Sequence, residues 1–422
     1  MRVVERHGGI TPGSRVVLDA PVGPFRARWV MEHRDYIEGK RFRDVQLSGP
    51  FQRWVHTHTV EPVGVGSALV DEIEYEMPMG PLGELVAGGF VRHELERSFR
   101  YRHDVIAADL RRHRRFAASG AWRIGVTGST GMVGNALVPY LSTAGHRVAR
   151  FVRTHTSERG DDIYWSPEHR QLNPAALEGL DAIVHLAGES IAQRWTSARR
   201  DSIRQSRLDG TRLLVRTIES MKRPPRVVVC ASAVGYYGSR GDTLLDETSS
   251  RGEGFLAQLV EDWEAESKPL RDRGVRLVHA RFGVLLSPAG GALEKMLLPF
   301  RAGAGGRVGS GEQWMSWIAL DDCLGAIEHA LFTESLSGAI NVVSPEPVTN
   351  AEFARTLGKV LHRPAIVPAP GFALRALFGE MADETLLASQ RVQPVKLNAS
   401  GFSWRHSTLE SALRFELGLA AS

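Results

Sequence analysis

The chain has 422 residues, 43% of them hydrophobic and 24% charged, with a net charge of +4, a composition that fits a folded globular protein of two or three domains. Two cysteines, Cys230 and Cys323, exclude a disulfide framework and a cysteine-rich metal site. No apolar run reaches the roughly 18 residues of a membrane-spanning helix, and the opening MRVVERHGGITPG lacks the apolar centre of a signal peptide, so a cytoplasmic location is expected.

Residues 15 to about 78 alternate like half-buried strands. Phe25, Ala27, Trp29 and Met31 share one face, and further strands are expected at 41–48, 52–61 and 67–77, separated by turn-prone Glu-Gly-Lys, Ser-Gly-Pro and Val-Gly-Val-Gly. His56 and His58 share a strand face, but no carboxylate or thiolate spacing accompanies them. His33, His56 and His58 are therefore read as polar lining of a cavity, and no metal is expected. The period then changes: Leu95, Phe99, Ile106 and Leu110 fall on one side of a helix spanning about 90–116. Its end carries Arg111, Arg112, His113, Arg114 and Arg115, which read as a solvated, dipole-complementing terminus. No nucleic-acid motif accompanies the run, so nucleic acid is not the expected partner, and a nucleic-acid or membrane contact at this helix end stands as a third reading behind the two that follow from the rest of the chain.

The stretches GPFRARWVMEHRDY, LVDEIEYEMPMGPLG and ERSFRYRHDVIAADL resemble the helix-grip family of START-like and polyketide-cyclase-like (SRPBCC) ligand-binding domains. The resemblance covers residues 1–116 and implies an α+β sheet wrapped around the long helix, with a cavity for an apolar ligand. Such domains begin with a strand and short helices, whereas little precedes Val16 here: the start is truncated, or another element fills that edge.

Ala117–Ala121 reads as a linker, and strand and helix alternate from there on: 122–127, 132–144, 146–152, 181–187, 198–221, 226–231, 255–272 and 275–285. That order predicts parallel strands with helical crossovers, a doubly wound α/β sheet of the Rossmann type over 122–362. The first strand runs into Gly128-Ser129-Thr130-Gly131-Met132-Val133-Gly134. Gly128 permits the tight turn, Gly131 the approach of a pyrophosphate, and Gly134 the packing of helix on strand, while the helix N-terminus offers its N–H groups to the anion. The next strand ends at Arg153, where an acidic residue would grip a ribose 2′-hydroxyl; an arginine suits a 2′-phosphate, so NADP is expected over NAD. Leu186, Ala187 and Gly188 close another buried strand, at which adenosine passes near the backbone, and Glu189 follows.

AGESIAQRW, SRLDGT, SAVGYYG, DWEAES, RFGVLLSPAGGALEKMLLPFRAGAGGRVGSGEQWMSWIALDD and NVVSPEPVTNAEFA resemble the epimerase-like branch of the extended short-chain dehydrogenases/reductases. The tail from Arg363, with Gln390–Pro394 and Gly401-Phe402, resembles the small C-terminal α/β domain of that branch, expected over 363–422. The resemblance implies NADP(H) binding and an oxidoreductase or sugar-nucleotide-epimerase ancestry, without naming a substrate. It also implies a tyrosine with a lysine four residues on, steadied by a serine. Ser232, Tyr236 and Tyr237 form the candidate hydroxyl cluster, with Glu189 as a carboxylate partner, but Arg240 stands where the lysine should follow and the next lysine is Lys268. The family's Asn-x-x-Gly-Thr appears as Arg207-Leu-Asp-Gly210-Thr211, which makes Arg207 a candidate phosphate or cofactor contact, against a surface ion pair with Asp201 or Asp209. The glycine loop 303–311 before Trp314 and Trp317 reads either as a lid or as turn and core, and Asp321-Asp322 as a helix cap. Two functions follow: a fused NADP(H)-dependent oxidoreductase or epimerase-like enzyme for a small molecule, and a non-catalytic NADP(H) sensor or scaffold that keeps the site without the proton-transfer pair.

Overall fold

The computed structural model describes residues 2–22, 25–154 and 160–419. It divides into two compact units, Met1–Arg100 and Tyr101–Ser422.

The first unit is a six-stranded antiparallel sheet in chain order: β1 (Arg2–His7), β2 (Arg15–Val22), β3 (Phe25–Ile37), β4 (Arg41–Ser48), β5 (Arg53–Val63) and β6 (Gly66–Glu76). Its alternation follows the expected period of two. Trp29, Met31 and Trp54 are buried on one face with Leu95 packed against them, and Trp29 meets Trp54 edge-on at 4.9 Å. Leu95 belongs to α1 (Gly89–Arg114). The edge before Val16 is filled by β1, which joins β2 through the turn at 8–14 with no helix between them. The helix-grip expectation is corrected here. Among the described residues no helix lies between β1 and β2, where that fold has its short helices, and the unit is an antiparallel sheet followed by the helical segment 81–114, so the apolar-ligand cavity inferred from the likeness does not follow.

The division falls inside α1, not at the expected linker 117–121, because the second half of the helix packs within the second unit. Arg112 donates to the Asp321 carbonyl at 2.7 Å and pairs with Asp321 and Asp322, while His113 lies 2.6 Å from Glu328. Arg115 donates to the Gly401 carbonyl. The basic run is a solvated terminus only in part: Arg111, Arg114 and Arg115 are exposed, but Arg112 and His113 are held against acidic side chains, and Leu110, expected to face the core, is exposed instead. Asp321 and Asp322 are correspondingly not caps. They are buried acceptors for Arg112, Arg405 and the backbone N–H of His406.

The second unit carries an eight-stranded sheet. In chain order its main elements are β7 (Arg123–Thr127), α2 (Met132–Thr143), β8 (Arg147–Val152), β9 (Ile163–Ser166), β10 (Gln171–Leu172), β11 (Ala182–His185), α3 (Ser197–Glu219), β12 (Val227–Ala233), α4 (Phe255–Glu266), β13 (Arg276–Phe282), α5 (Leu320–Phe332) and β14 (Gly338–Val342). The spatial order is β10-β9-β8-β7-β11-β12-β13-β14, with every pair parallel except β9–β10. Parallel strands need both faces covered. Ile124, Val126 and Val229 pack with Leu137, Leu141 and Ile327 on one face, and Ile183, Val228 and Leu277 with Leu214 and Ile218 on the other. The strand order reverses between β7 and β11, which opens a crevice at their carboxyl ends. The tail is mostly helical, its short strand Arg391–Val392 running parallel to Leu244–Leu245. Within it, Glu384 accepts from the Phe255 and Leu256 N–H groups, both at 2.7 Å, and so caps α4, whose own N-cap Gly254 has no side chain to do so.

Candidate functional site

The glycine loop sits at that crevice. Gly128 has φ +65°, a conformation glycine adopts without strain, and a β-carbon there would meet the Leu186 backbone at 2.8 Å. Gly134 is more constrained: its β-carbon would lie 2.2 Å from the Gly128 carbonyl oxygen, so only glycine lets α2 start this close to β7. Gly131 is the N-cap of α2 and no side chain caps the helix, which leaves its first-turn N–H groups for an anion. The cradle therefore fits a diphosphate.

Thr127, the last residue of β7, ties the two halves of the crevice together. Its hydroxyl oxygen accepts from the Leu186 and Ala187 N–H groups at 3.0 and 3.1 Å and lies 2.8 Å from His185 Nδ1. On the other side of that ring, Nε2 is 3.1 Å from the Thr211 hydroxyl. Thr211 spends its single hydrogen on the Arg207 carbonyl at 2.8 Å and also accepts from Trp263 Nε1 at 3.0 Å. Its oxygen must accept from His185 as well, so the proton of the ring is on Nε2 and Nδ1 accepts from Thr127. His185 is thus a neutral bridge, in keeping with complete burial, which pushes its pKa down to about 4. The chain Thr127–His185–Thr211 fixes the backbone of Arg207 against the end of β11.

The Arg207 side chain faces Gly188, where a β-carbon would stand 3.5 Å from its guanidinium carbon. It lies over the Trp263 ring at 5.3 Å and donates to the Ile203 carbonyl. Burial lowers its pKa to about 10. Among the described residues no carboxylate pairs with it; Asp209 pairs with Arg212 instead. Glu189 is held by Arg199 and Ser202, which keep its carboxyl below the usual range. Arg150 is paired with Asp162, leaving Arg153 exposed just beyond β8.

The hydroxyl cluster divides. Ser232 is buried and donates to Glu264 at 2.6 Å. Arg281 donates to both Glu264 oxygens at 2.8 Å in a bidentate pair, and to the Tyr237 hydroxyl at 3.0 Å. That hydroxyl donates in turn to Asn341 at 2.7 Å. Tyr237 is fully buried, and burial pushes its pKa up to about 12. Burial also works against charge on Glu264, but the hydrogen bonds and charge of Arg281 outweigh it and hold the carboxyl below its usual range. Tyr236 stands apart, half-buried, its ring 3.5 Å beneath the Arg281 guanidinium.

The NAD dependent epimerase/dehydratase family matches residues 124–342, half of the chain, and a domain of unknown function matches 369–416. The chain belongs to the NAD dependent epimerase/dehydratase family. An epimerase family protein of Mycobacterium bovis is 43% identical over 293 residues, covering 69% of this chain and 96% of that protein. A nucleoside-diphosphate sugar epimerase structure from Corynebacterium glutamicum covers 99% of this chain and 82% of its own, with a TM-score of 0.77 and 30% identity. The human epimerase family protein SDR39U1, solved with NADPH, has a TM-score of 0.64 and 37% identity, covering 69% of this chain and 98% of its own.

Within this epimerase-family chain, the structure brings Gly128–Gly134, Leu186–Gly188 and Arg207 to one crevice. It turns the hydroxyls of Ser232 and Tyr237 into a buried network. The sequence reading missed Glu264, Arg281 and Asn341 as the partners of those hydroxyls, since they come from α4, β13 and β14; the carboxylate of Asp-Trp-Glu264 was the only local signal. The glycine loop is pinned. Val367 N–H donates to Gly305, Ala369 N–H to Arg307 and Gly309 N–H to Ala369, and Trp317 is core, so this stretch is turn and core and not a lid.

Proposed function

We propose that this chain is an NADP(H)-binding oxidoreductase or epimerase-like enzyme acting on a small molecule. One observation carries the reading: an uncapped helix start behind a glycine cradle, with the exposed Arg153 where an acidic residue would select NAD. The NADPH bound by the human relative supports it. When bound, the nicotinamide supplies hydride transfer to or from a carbon of the substrate. The N–H groups of residues 129–133 would hold the diphosphate, Leu186, Ala187 and Gly188 would admit the adenosine side, and Arg153 would supply the cation for a 2′-phosphate. Arg207, a half-buried cation that no carboxylate pairs with among the described residues, contributes positive charge beside Gly188, with Glu189 at its rim. Tyr236 is the member of the hydroxyl cluster best suited to hand a proton to substrate; Ser232 and Tyr237 position it through Glu264 and Arg281.

Calorimetric titration with NADPH and NADH tests this. Wild type should prefer NADPH, and Arg153→Ala should weaken NADPH about 10- to 100-fold, the loss of a charge-assisted hydrogen bond, while leaving NADH unchanged. Equal and weak binding of both dinucleotides by wild type would overturn the reading. A second reading, NADP(H) sensing without turnover, is favoured by the absence of a lysine four residues after either tyrosine. Stopped-flow oxidation of bound NADPH by any member of a carbonyl panel would eliminate it.

A further inference from the structure

We propose that the N-terminal sheet holds a divalent transition-metal site built from Asp44, His56 and His58, with His33 and Asp71 as orienting partners. The register of the sheet makes the cluster. Side chains of period two on β3, β4, β5 and β6 bring His33 opposite Asp44, Asp44 opposite His56, and His58 opposite Asp71. All five therefore project from one face of four adjacent strands. One ligand atom from each of Asp44, His56 and His58 lies within 4.8 Å of the other two, near enough that a modest inward movement of the side chains would gather them to the roughly 3.5 Å that separates ligands of a tetrahedral ion with bonds of about 2.0–2.2 Å.

Proximity alone would also describe a ladder of ion pairs, but the hydrogen-bond geometry argues for an ion. His33 Nδ1 is 2.5 Å from Asp44 Oδ1 and His58 Nδ1 is 2.8 Å from Asp71 Oδ1. Yet His33 Nδ1, His58 Nδ1 and Asp44 Oδ1 are buried with no partner in hydrogen-bonding geometry. Both rings are more than nine-tenths buried, at 8% and 5% exposure, so water does not complete them. His58 shows the conflict best. Its Nε2 faces Asp44 at 3.1 Å while its Nδ1 faces Asp71. A neutral imidazole has one N–H, so one of its nitrogens would direct a lone pair at a carboxylate. A bound dication removes that conflict: a ring nitrogen coordinates, the other N–H meets the outer carboxylate, and the negative charges of Asp44 and Asp71 are matched by two positive ones. Phe42 stacks on His58 at 4.2 Å and Phe99 meets His56 edge-on at 5.3 Å, giving the apolar surround that strengthens such a site.

Imidazole and carboxylate donors without a thiolate suit Zn(II), Co(II), Mn(II) or Fe(II), and a set of three protein ligands leaves a coordination position for water or a ligand. Full-length protein stripped with a chelator and titrated with Co(II) provides the test. The visible spectrum should develop the intense bands of a four- or five-coordinate ion at one equivalent per chain and collapse when Zn(II) is added. Asp44→Asn and His56→Gln should each weaken binding about 10- to 100-fold, with circular dichroism confirming that the sheet is retained and NADPH titration as an independent control. A Co(II) spectrum in wild type that stays that of the aqueous ion overturns the site, and so does equal affinity in wild type and a folded Asp44→Asn protein. The wild-type titration decides the matter even if both variants fail to fold.

Discussion

Apart from His113, which meets Glu328, the buried histidines compared between the two units keep contrasting company. In the Rossmann unit His185 lies between the hydroxyls of Thr127 and Thr211, and His279 Nε2 is 2.7 Å from the Ser267 hydroxyl. In the sheet unit His33, His56 and His58 face Asp44 and Asp71. A hydroxyl rotates to donate or accept as required, so a neutral ring between hydroxyls is complete. A carboxylate only accepts, so a neutral ring between two of them is not. The same contrast separates the two buried carboxylate clusters. Arg281 meets both oxygens of Glu264 in matched geometry, whereas the Asp44 cluster is matched only in part: His58 Nε2 and His56 Nε2 bond Asp44 and Asp71 at 3.1 Å, but His33 Nδ1, His58 Nδ1 and Asp44 Oδ1 are left without a hydrogen-bonding partner. The first arrangement is finished by the chain itself; the second calls for a cation.

Removing one carboxylate from each cluster is the most direct way to break this contrast. Glu264→Gln leaves the Arg281 charge buried and unpaired, which should cost about 3–5 kcal/mol in urea unfolding. Asp44→Asn in chelated protein should change stability by about 1 kcal/mol or less, because it removes one side of a donor–acceptor mismatch. Comparable losses in the two variants would show that the Asp44 cluster is a completed ion-pair ladder.

Acid comes next in size. Burial lowers His185 and His279 to about 4 from an ordinary 6.5. Their folded pKa values are depressed, so the unfolded chain binds more protons between pH 6.5 and 4. The stability they contribute is therefore complete above pH 6.5 and lost as pH falls toward 4, by about 3 kcal/mol for each ring. Glu264, also held low, adds its loss at still lower pH as it takes up a proton. Urea midpoints measured from pH 7.5 to 4 should fall steeply for the Rossmann unit; a flat profile would mean that these rings are hydrated and not in the hydroxyl environment seen here.

The cradle was legible in the sequence because every part of it is local: strand, glycine trio and helix follow one another over residues 123–143, and backbone geometry alone explains them. The alternating strands of the first unit were legible for the same reason. What escaped was pairing. That Asp44 stands opposite both His33 and His56, and Asp71 opposite His58, depends on the lengths of three hairpin connections, where a one-residue slip would turn the carboxylates to the other face. Arg281 and Glu264 likewise come from neighbouring elements with no shared motif. The long helix misled in a related way. Its apolar period continues through Leu110, but the face buried at its end is the one carrying Arg112 and His113, whose acidic partners lie some two hundred residues along the chain.

The smallest effect separates the two tyrosines. Tyr237→Phe deletes a hydroxyl that donates to Asn341 and accepts from Arg281. Both partners are buried, so the loss should be about 1–2 kcal/mol of stability. Tyr236→Phe keeps the ring that lies 3.5 Å beneath the same guanidinium and should leave stability within about 0.5 kcal/mol. If Tyr236 is the proton donor, its variant lowers the single-turnover rate of NADPH oxidation while NADPH affinity stays unchanged, and Tyr237→Phe acts mainly on unfolding. A loss of turnover confined to Tyr237→Phe would reverse the two roles. It would mean that the buried network opens to admit substrate, and that Arg281 then serves the reaction as well as the fold.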